Sequence, residues 1–221
     1  ISRNSLDKLP VNEISEVLEL QAGFVSGHLR GGRAGEVSFM IDGIPMTDGF
    51  DGSTVVNVNK NAVQEMQLIS GAFNAEYGNA MSGIVNVKVK DGGKNYDGSL
   101  SIYTGDYNSN AKEIFPNISN LSLTANKTLD AFISGPVIPS MGDKLTFNIS
   151  VRSNQSEGYL YGIREHSPND YAYFPPSGDW YIQMSGDSSY VPMNPSESNN
   201  FLSKFTWRLS QRIKISAQSI M

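Results

Sequence analysis

Between Ser99 and Gln218 the chain alternates apolar and polar residues with a period of two, in five separate runs. Leu100 and Ile102 interleave with Ser99, Ser101 and Tyr103. Leu129, Ala131 and Ile133 share one face of a second run. Leu145, Phe147, Ile149 and Val151 oppose Lys144, Thr146, Asn148, Ser150 and Arg152. Phe201, Phe205, Trp207 and Leu209 oppose Leu202, Lys204, Thr206 and Arg208, with Ser203 on the apolar face. Ile213, Ile215 and Ala217 oppose Arg212, Lys214, Ser216 and Gln218. Such alternation predicts strands with one apolar and one polar face. The connections differ in length. Leu209 to Arg212 is tight, and Ser134 to Lys144 is short and rich in turn residues. Ser153 to Asn200 is long, aromatic and proline-containing.

The first ninety or so residues read differently. Ile14, Val17 and Leu18 share one face at helical spacing, with Asn12 as the cap and Glu13 and Glu16 near the positive end. Val37, Phe39 and Ile41 alternate with Ser38, Met40 and Asp42, and Asp42-Gly43-Ile44-Pro45 turns the chain. A helical turn at Asn61 to Gln64 leads into a strand over Glu65 to Ser70. A further strand over Ile84 to Val89 sets Val85, Val87 and Val89 against Asn86 and Lys88. Glycines punctuate these elements, and the pattern predicts a small mixed α/β domain over residues 1–93. Asp91-Gly92-Gly93-Lys94-Asn95 reads as a hinge into a strand region over 94–221.

Composition narrows the class. Hydrophobic residues make up 39% and charged residues 18% of the 221, and mean hydropathy is −0.29. No apolar run is long enough for a bilayer-crossing helix. A membrane β-barrel needs no such run, because its strands alternate lipid-facing and lumen-facing residues. Short turns on one side and one long loop on the other fit a barrel with periplasmic turns and extracellular loops. Net charge is −5 with scattered lysines and arginines, which argues against nucleic-acid binding. Cysteine is absent, so disulfide frameworks and thiolate metal sites are excluded.

Enzyme chemistry finds no footing. His28 and His166 are the only histidines, nothing places them together, and no nucleophile–histidine triad is supported. Glu13 and Glu16 are helix-end charges rather than a glycosidase pair. No phosphate-binding glycine loop occurs, and Asp48-Gly49-Phe50-Asp51-Gly52 lacks the ligand spacing of an EF-hand. The reading is therefore no enzyme, no cofactor and no metal. The chemistry the sequence offers is recognition. Tyr159, Tyr161, Tyr171, Tyr173, Phe174, Trp180, Tyr181 and Tyr190 crowd the long loop; aromatic rings offer large contact area at low entropy cost, and most of these are expected to pack the loop on itself or against a lid. Asp179, Trp180 and Tyr181 are the first candidates for ligand contact, with Tyr159, Tyr161, Asp48, Phe50 and Asp51 beside them.

One ordered set of short motifs carries more. Arg30-Gly31-Gly32-Arg33, then Ile41-Asp42-Gly43, then Glu76-Tyr77-Gly78, then Ser82-Gly83-Ile84-Val85-Asn86-Val87 resemble, in this order, the plug domain of TonB-dependent outer-membrane receptors. The resemblance covers roughly Leu9 to Gly93, and Ile133-Ser134-Gly135-Pro136 resembles the approach to a periplasmic turn of the same receptors. It implies a plug in the lumen of a barrel of about 22 strands, of which only about five fit after Asp97, so the chain is expected to be one piece of a larger molecule. It also implies a Gram-negative outer-membrane location and active import gated by the plug. The partners it implies are TonB, outer-membrane lipid and, in a Bacteroidota-type receptor, a surface lipoprotein lid. The ligand class stays open among oligosaccharides, peptides, siderophores and cobalamin. Any TonB-engaging segment is expected before Ile1. Arg30, Arg33, Asp42, Glu76 and the glycines at 31, 32, 43, 78 and 83 are the plug-motif positions, with polar contacts to one another or to the barrel wall. Such a contact is expected to be wet and able to slide. A non-transporting subunit of a surface or secretion assembly, with the long loop as its interface, is the alternative. A soluble β-rich adhesin is a weaker one.

Overall fold

The computed structural model describes all residues except Asp7, Pro10, Asn12, Glu13, Ala34, Gly49 and the stretches 51–57 and 72–79. Two compact units emerge from the packing. One comprises Ile1–Ser101, Leu129–Ser153 and Asn199–Met221; the other comprises Ile102–Thr128 and Asn154–Ser198.

The first unit opens with two short helices, α1 (Arg3–Leu6) and α2 (Ile14–Glu19), and a small hairpin, β1 (Phe24–Val25) with β2 (His28–Leu29). A four-stranded mixed sheet follows: β3 (Val37–Ile41), β4 (Ile44–Pro45), β5 (Val63–Ser70) and β6 (Gly83–Val89), in the order β4-β3-β6-β5. β3 and β6 run parallel, whereas β4 and β5 are antiparallel to their neighbours. Ile14, Val17 and Leu18 of α2 are buried, as their spacing predicts. They join Leu6, Leu29, Val37, Val63, Met66, Val85 and Val89 in one apolar core. The predicted turn at Asp42-Gly43 is a two-residue hairpin with φ of 49° and 83° at its central residues, matched to strand twist and well suited to Asp-Gly. Ahead of β5 the helical turn spans Lys60–Ala62, capped by the Asn59 side chain. The strand therefore starts at Val63, two residues before the sequence suggests.

Five long strands form a second sheet: β7 (Asp97–Gly105), β8 (Asn126–Pro136), β9 (Leu145–Ser156), β14 (Ser196–Arg208) and β15 (Lys214–Ile220). Between β9 and β14 lie four short strands, β10 (Tyr161–Ile163), β11 (Ala172–Tyr173), β12 (Tyr181–Ile182) and β13 (Tyr190–Pro192). They pair as β10 with β13 and β11 with β12, so the long loop is two nested hairpins, which the sequence reading did not resolve. The five-stranded order β15-β14-β9-β8-β7 is that of a meander.

The part of this sheet in the first unit is inside out. Thr146, Asn148, Ser150, Arg152, Lys204 and Thr206 are buried, while Phe205, Trp207, Leu209, Ile213 and Ile215 are about half exposed. A side chain of this size is worth about 1.5–3 kcal/mol when fully buried. A row of them facing water would forgo an amount comparable to a domain's whole stability. The outer face therefore calls for an apolar medium, as the lipid-facing side of a membrane strand does. Among the described residues no helix is long and apolar enough to cross a membrane.

Candidate functional site

The mixed sheet meets the polar face of the long strands within the first unit, and charge organises the contact. Lys204 on β14 donates to Asp42 Oδ2 at 3.1 Å and to the Val89 carbonyl at 3.0 Å, and lies 3.1 Å from Asp91 Oδ1. An ammonium has three N–H groups, and here three acceptors surround it. Asp91 also accepts from Thr206 Oγ1 at 3.2 Å, Arg208 Nη2 at 3.3 Å and Lys214 Nζ at 2.9 Å. Residues 204, 206 and 208 share one face of β14 because strand side chains alternate. Burial pushes the Asp91 carboxyl up, but the hydrogen bonds and charges of Lys214 and Lys204 outweigh it and hold the group at about 2.

Neutral bonds flank this cluster. Asn148 Nδ2 donates to the Lys90 carbonyl at 2.9 Å, and Asn61 Nδ2 donates to Ser99 Oγ at 2.9 Å. Lys90 reaches Asp97 at 3.3 Å and lies 4.6 Å from the centre of the Phe132 ring. On the strands themselves Arg152 grips both Asp130 oxygens at 3.1 and 3.2 Å, with both side chains buried. The contact is polar, and at Lys204 it is dry, with 7% of the side chain exposed. A dry ion cluster resists sliding more than a wet one, because charges attract more strongly away from water. The stretch from Asp91 that reads as a hinge is therefore a hub. A side chain on Gly92 would run into Thr146 and the Phe147 carbonyl, so glycine there permits the close approach.

The motif positions fall at both ends of the mixed sheet. Asp42 and Gly43 form the turn at the Lys204 end. At the other end, Arg30 is exposed with φ of 51°, and Gly31 follows with φ of 78°. The Arg30 amide donates to the Gly23 carbonyl at 2.6 Å. Gly32 abuts Ser82, and Gly83 abuts Leu29 and the Ile69 carbonyl. The Arg33 amide and the Ser82 hydroxyl donate to Glu36 at 3.0 and 2.6 Å. The Ser82 bond, more than any other cause, holds the Glu36 carboxyl below its usual range. Glu76, Gly78 and Asp51 lie outside the described residues. Asp48 accepts from the Phe50 amide at 2.6 Å, and Phe50 is fully exposed.

In the second unit the aromatic candidates divide into two groups. Tyr159 lies between Tyr107 and Phe115, with ring centres 5.6 and 5.9 Å away. Tyr161 donates to Glu157 at 3.0 Å; burial first, then that bond, pushes its phenol up to about 12. On the β11–β12 hairpin Tyr171, Tyr173 and Tyr181 cluster at 5.2–6.1 Å, and Phe174 meets Trp180 at 5.3 Å. Asp179 is exposed beside them. An open cleft of about 360 Å³ is lined by Lys127, Gln155, Glu157 and Glu197, among others. His28 and His166 each hydrogen-bond a carbonyl, of Gly32 and Gln183 respectively, at 2.9 Å. Sequence reasoning missed the roles of Asp91, Asn148, Lys204, Arg208 and Lys214. The even-numbered polar face of β14 was visible, but the carboxylates it faces lie more than a hundred residues away.

A mixed α/β region is thus held against the polar face of inside-out strands. No family model matches the chain, and neither does any curated protein. Solved structures do. The siderophore receptor PirA from Pseudomonas aeruginosa aligns over 100% of this chain and 34% of its own, with 16% identity and a TM-score of 0.62. A mutant of the ferric enterobactin receptor PfeA from the same species aligns over 99% and 31%, with 16% identity and a TM-score of 0.61. The outer membrane transporter YddB from Escherichia coli aligns over 98% and 31%, with 15% identity and a TM-score of 0.54. The chain spans about a third of the length of these structures, and what it shares with them is the fold of TonB-dependent receptors.

Proposed function

We propose that the chain is part of a TonB-dependent transporter of the Gram-negative outer membrane. Residues 1–93 act as the plug, and residues 94–221 act as the first strands of a barrel of about 22. The observation that carries this reading is the reversed burial of the long strands, apolar side outward and polar side turned to the mixed sheet. Lys204, Thr206 and Asn148 are groups a lumen wall would present to a plug. The Tyr171–Trp180 hairpin and Phe50 are the surfaces a ligand would meet from outside, before TonB draws on the plug from the periplasm. The protein does no covalent chemistry in this scheme.

The test is uptake. A strain lacking the full-length gene should lose growth on one nutrient at limiting concentration and regain it on complementation. The purified full-length protein should bind the carboxy-terminal domain of TonB more tightly when ligand is present. Unchanged growth on every nutrient, together with no TonB binding in any ligand state, would remove the import reading.

A further inference from the structure

Asn59, which caps the helical turn ahead of β5, is 3% exposed. Its amide has a fixed orientation. Oδ1 accepts from the Asn61 backbone amide at 2.9 Å, a bond that the nitrogen edge could not make. Nδ2 is therefore the other edge. It is buried and has no hydrogen-bond partner among the described residues. A buried donor left so forfeits the hydration it had in the unfolded chain, and native interiors rarely tolerate that. The same side chain lines a cavity of about 10 Å³, together with Val58, Ser150, Arg152, Phe201 and Leu202. Ser150 and Arg152 belong to the inward face of β9, and Leu202 to that of β14.

We infer that this cavity is a binding site for one water molecule, which accepts from Asn59 Nδ2 and bridges it to the polar face of β9. Size selects water. One molecule needs about 10–15 Å³, so no larger solute enters. Charge selects it too. The polar groups at hand include an amide donor, a hydroxyl and a guanidinium, which would repel a metal cation. An anion would lose its hydration against Val58, Phe201 and Leu202, and the guanidinium is already matched by Asp130 at 3.1 Å. Water accepts from Asn59 and can donate to the Ser150 hydroxyl oxygen. The rest of β9 points the same way. Thr146 Oγ1 and Asn148 Oδ1, both on its inward face, also have no partner among the described residues. That face thus offers more hydrogen-bonding capacity than the mixed sheet meets directly. Where the plug reading holds, the contact is direct and dry at Lys204 but relayed at Asn59. A relay water stays bonded to one side while the other withdraws, so Asn59 can part from β9 without losing its hydrogen bond.

The test needs no transport. A high-resolution structure of the full-length protein should show a water about 2.7–3.2 Å from Asn59 Nδ2. Radiolytic labelling gives a second readout, because an X-ray pulse turns bound water into hydroxyl radicals that mark the side chains beside it. Leu202, only 3% exposed, should be marked at least about fivefold faster than Leu29, which is 1% exposed and does not line the cavity. Ser150→Thr keeps the hydroxyl and adds a methyl where the water sits. It should bring the marking of Leu202 down to that of Leu29 and expose residues 1–93 to protease about five- to tenfold faster, as Asn59 Nδ2 loses its partner. A protein acceptor bonded to Nδ2, an ion in the cavity, or marking of Leu202 no faster than Leu29 would each overturn the inference. Water at Asn59 in a strain that takes up no nutrient through this protein would leave it standing and remove the import reading instead.

Discussion

In β6 of the mixed sheet Ile84, Val85 and Val87 are buried and Lys88 faces out. In β9 of the long sheet Thr146, Asn148, Ser150 and Arg152 are buried, and the apolar Leu145, Phe147, Ile149 and Val151 are left partly uncovered. Both strands use the same period of two and much the same residue types. What differs is the medium each apolar face was selected for. The mixed sheet makes its own apolar interior from helix and strand. The long sheet takes its apolar environment from outside the chain and turns hydrogen-bonding groups inward. The charges turned inward there are matched, as Lys204 is by Asp42 and Asp91 and Arg152 is by Asp130.

Charge insertion separates the two regions with the largest expected effect. Val85→Asp places a carboxylate at a site with 0% exposure, at a cost above about 4 kcal/mol. Protease should then cut the first ninety residues of the full-length protein in any solvent. Ile215→Arg on the outer face should cost about 2–4 kcal/mol in a bilayer, depending on depth, and nothing comparable in a water-facing sheet. Denaturant unfolding in liposomes measures this, and a neutral or stabilising Ile215→Arg would break the comparison.

Next comes Lys204. Removing one partner of a buried ion pair strands the others. Lys204→Met leaves Asp42 and Asp91 facing each other across the vacated position, with an expected loss of about 3–5 kcal/mol. The double variant Lys204→Met with Asp42→Asn should recover part of it. Protease susceptibility of residues 1–93 in the full-length protein reports both.

Acid probes the same hub more gently. The Asp91 carboxyl is held at about 2 against an ordinary 3.8, so the folded state takes up its proton at lower pH than the unfolded state does. Its contribution is complete above about pH 4 and is lost as pH falls through about 2. The melting-temperature gap between the native protein and Asp91→Asn should be constant from neutral pH down to about 4, then close by about 2. A gap that closes instead near pH 6 would mean the cluster answers to some other group.

The strands were legible in the sequence because alternation is local: β5, β6, β9, β14 and β15 could be placed from runs of a few residues. The Asp42-Gly43 turn was legible too, since few dipeptides tolerate two positive φ angles in succession. The Asp91 hub was not. Asp91-Gly92-Gly93 has the local signature of a flexible link, and its partners at 204, 208 and 214 reach it only after the sheet has formed. The nested hairpins of the long loop escaped for a different reason. Strands of two or three residues, such as Ala172–Tyr173, are too short to display a period. The ring cluster they build could not be separated from a scatter of tyrosines.

The smallest expected change in stability lies at Arg164, and it bears most directly on the charged loop. Arg164 Nη1 lies 3.3 Å from Asp187, with both side chains about half exposed. Such a pair is worth about 0–1 kcal/mol, so Arg164→Gln should leave the melting temperature nearly unchanged. The same substitution removes the one cation of the 154–198 segment and frees Asp187, whose carboxyl the Ser189 bonds keep below its usual range. Thermal unfolding of the full-length protein measures this, and a loss of more than about 1 kcal/mol would mean that the pair braces the loop rather than decorating it.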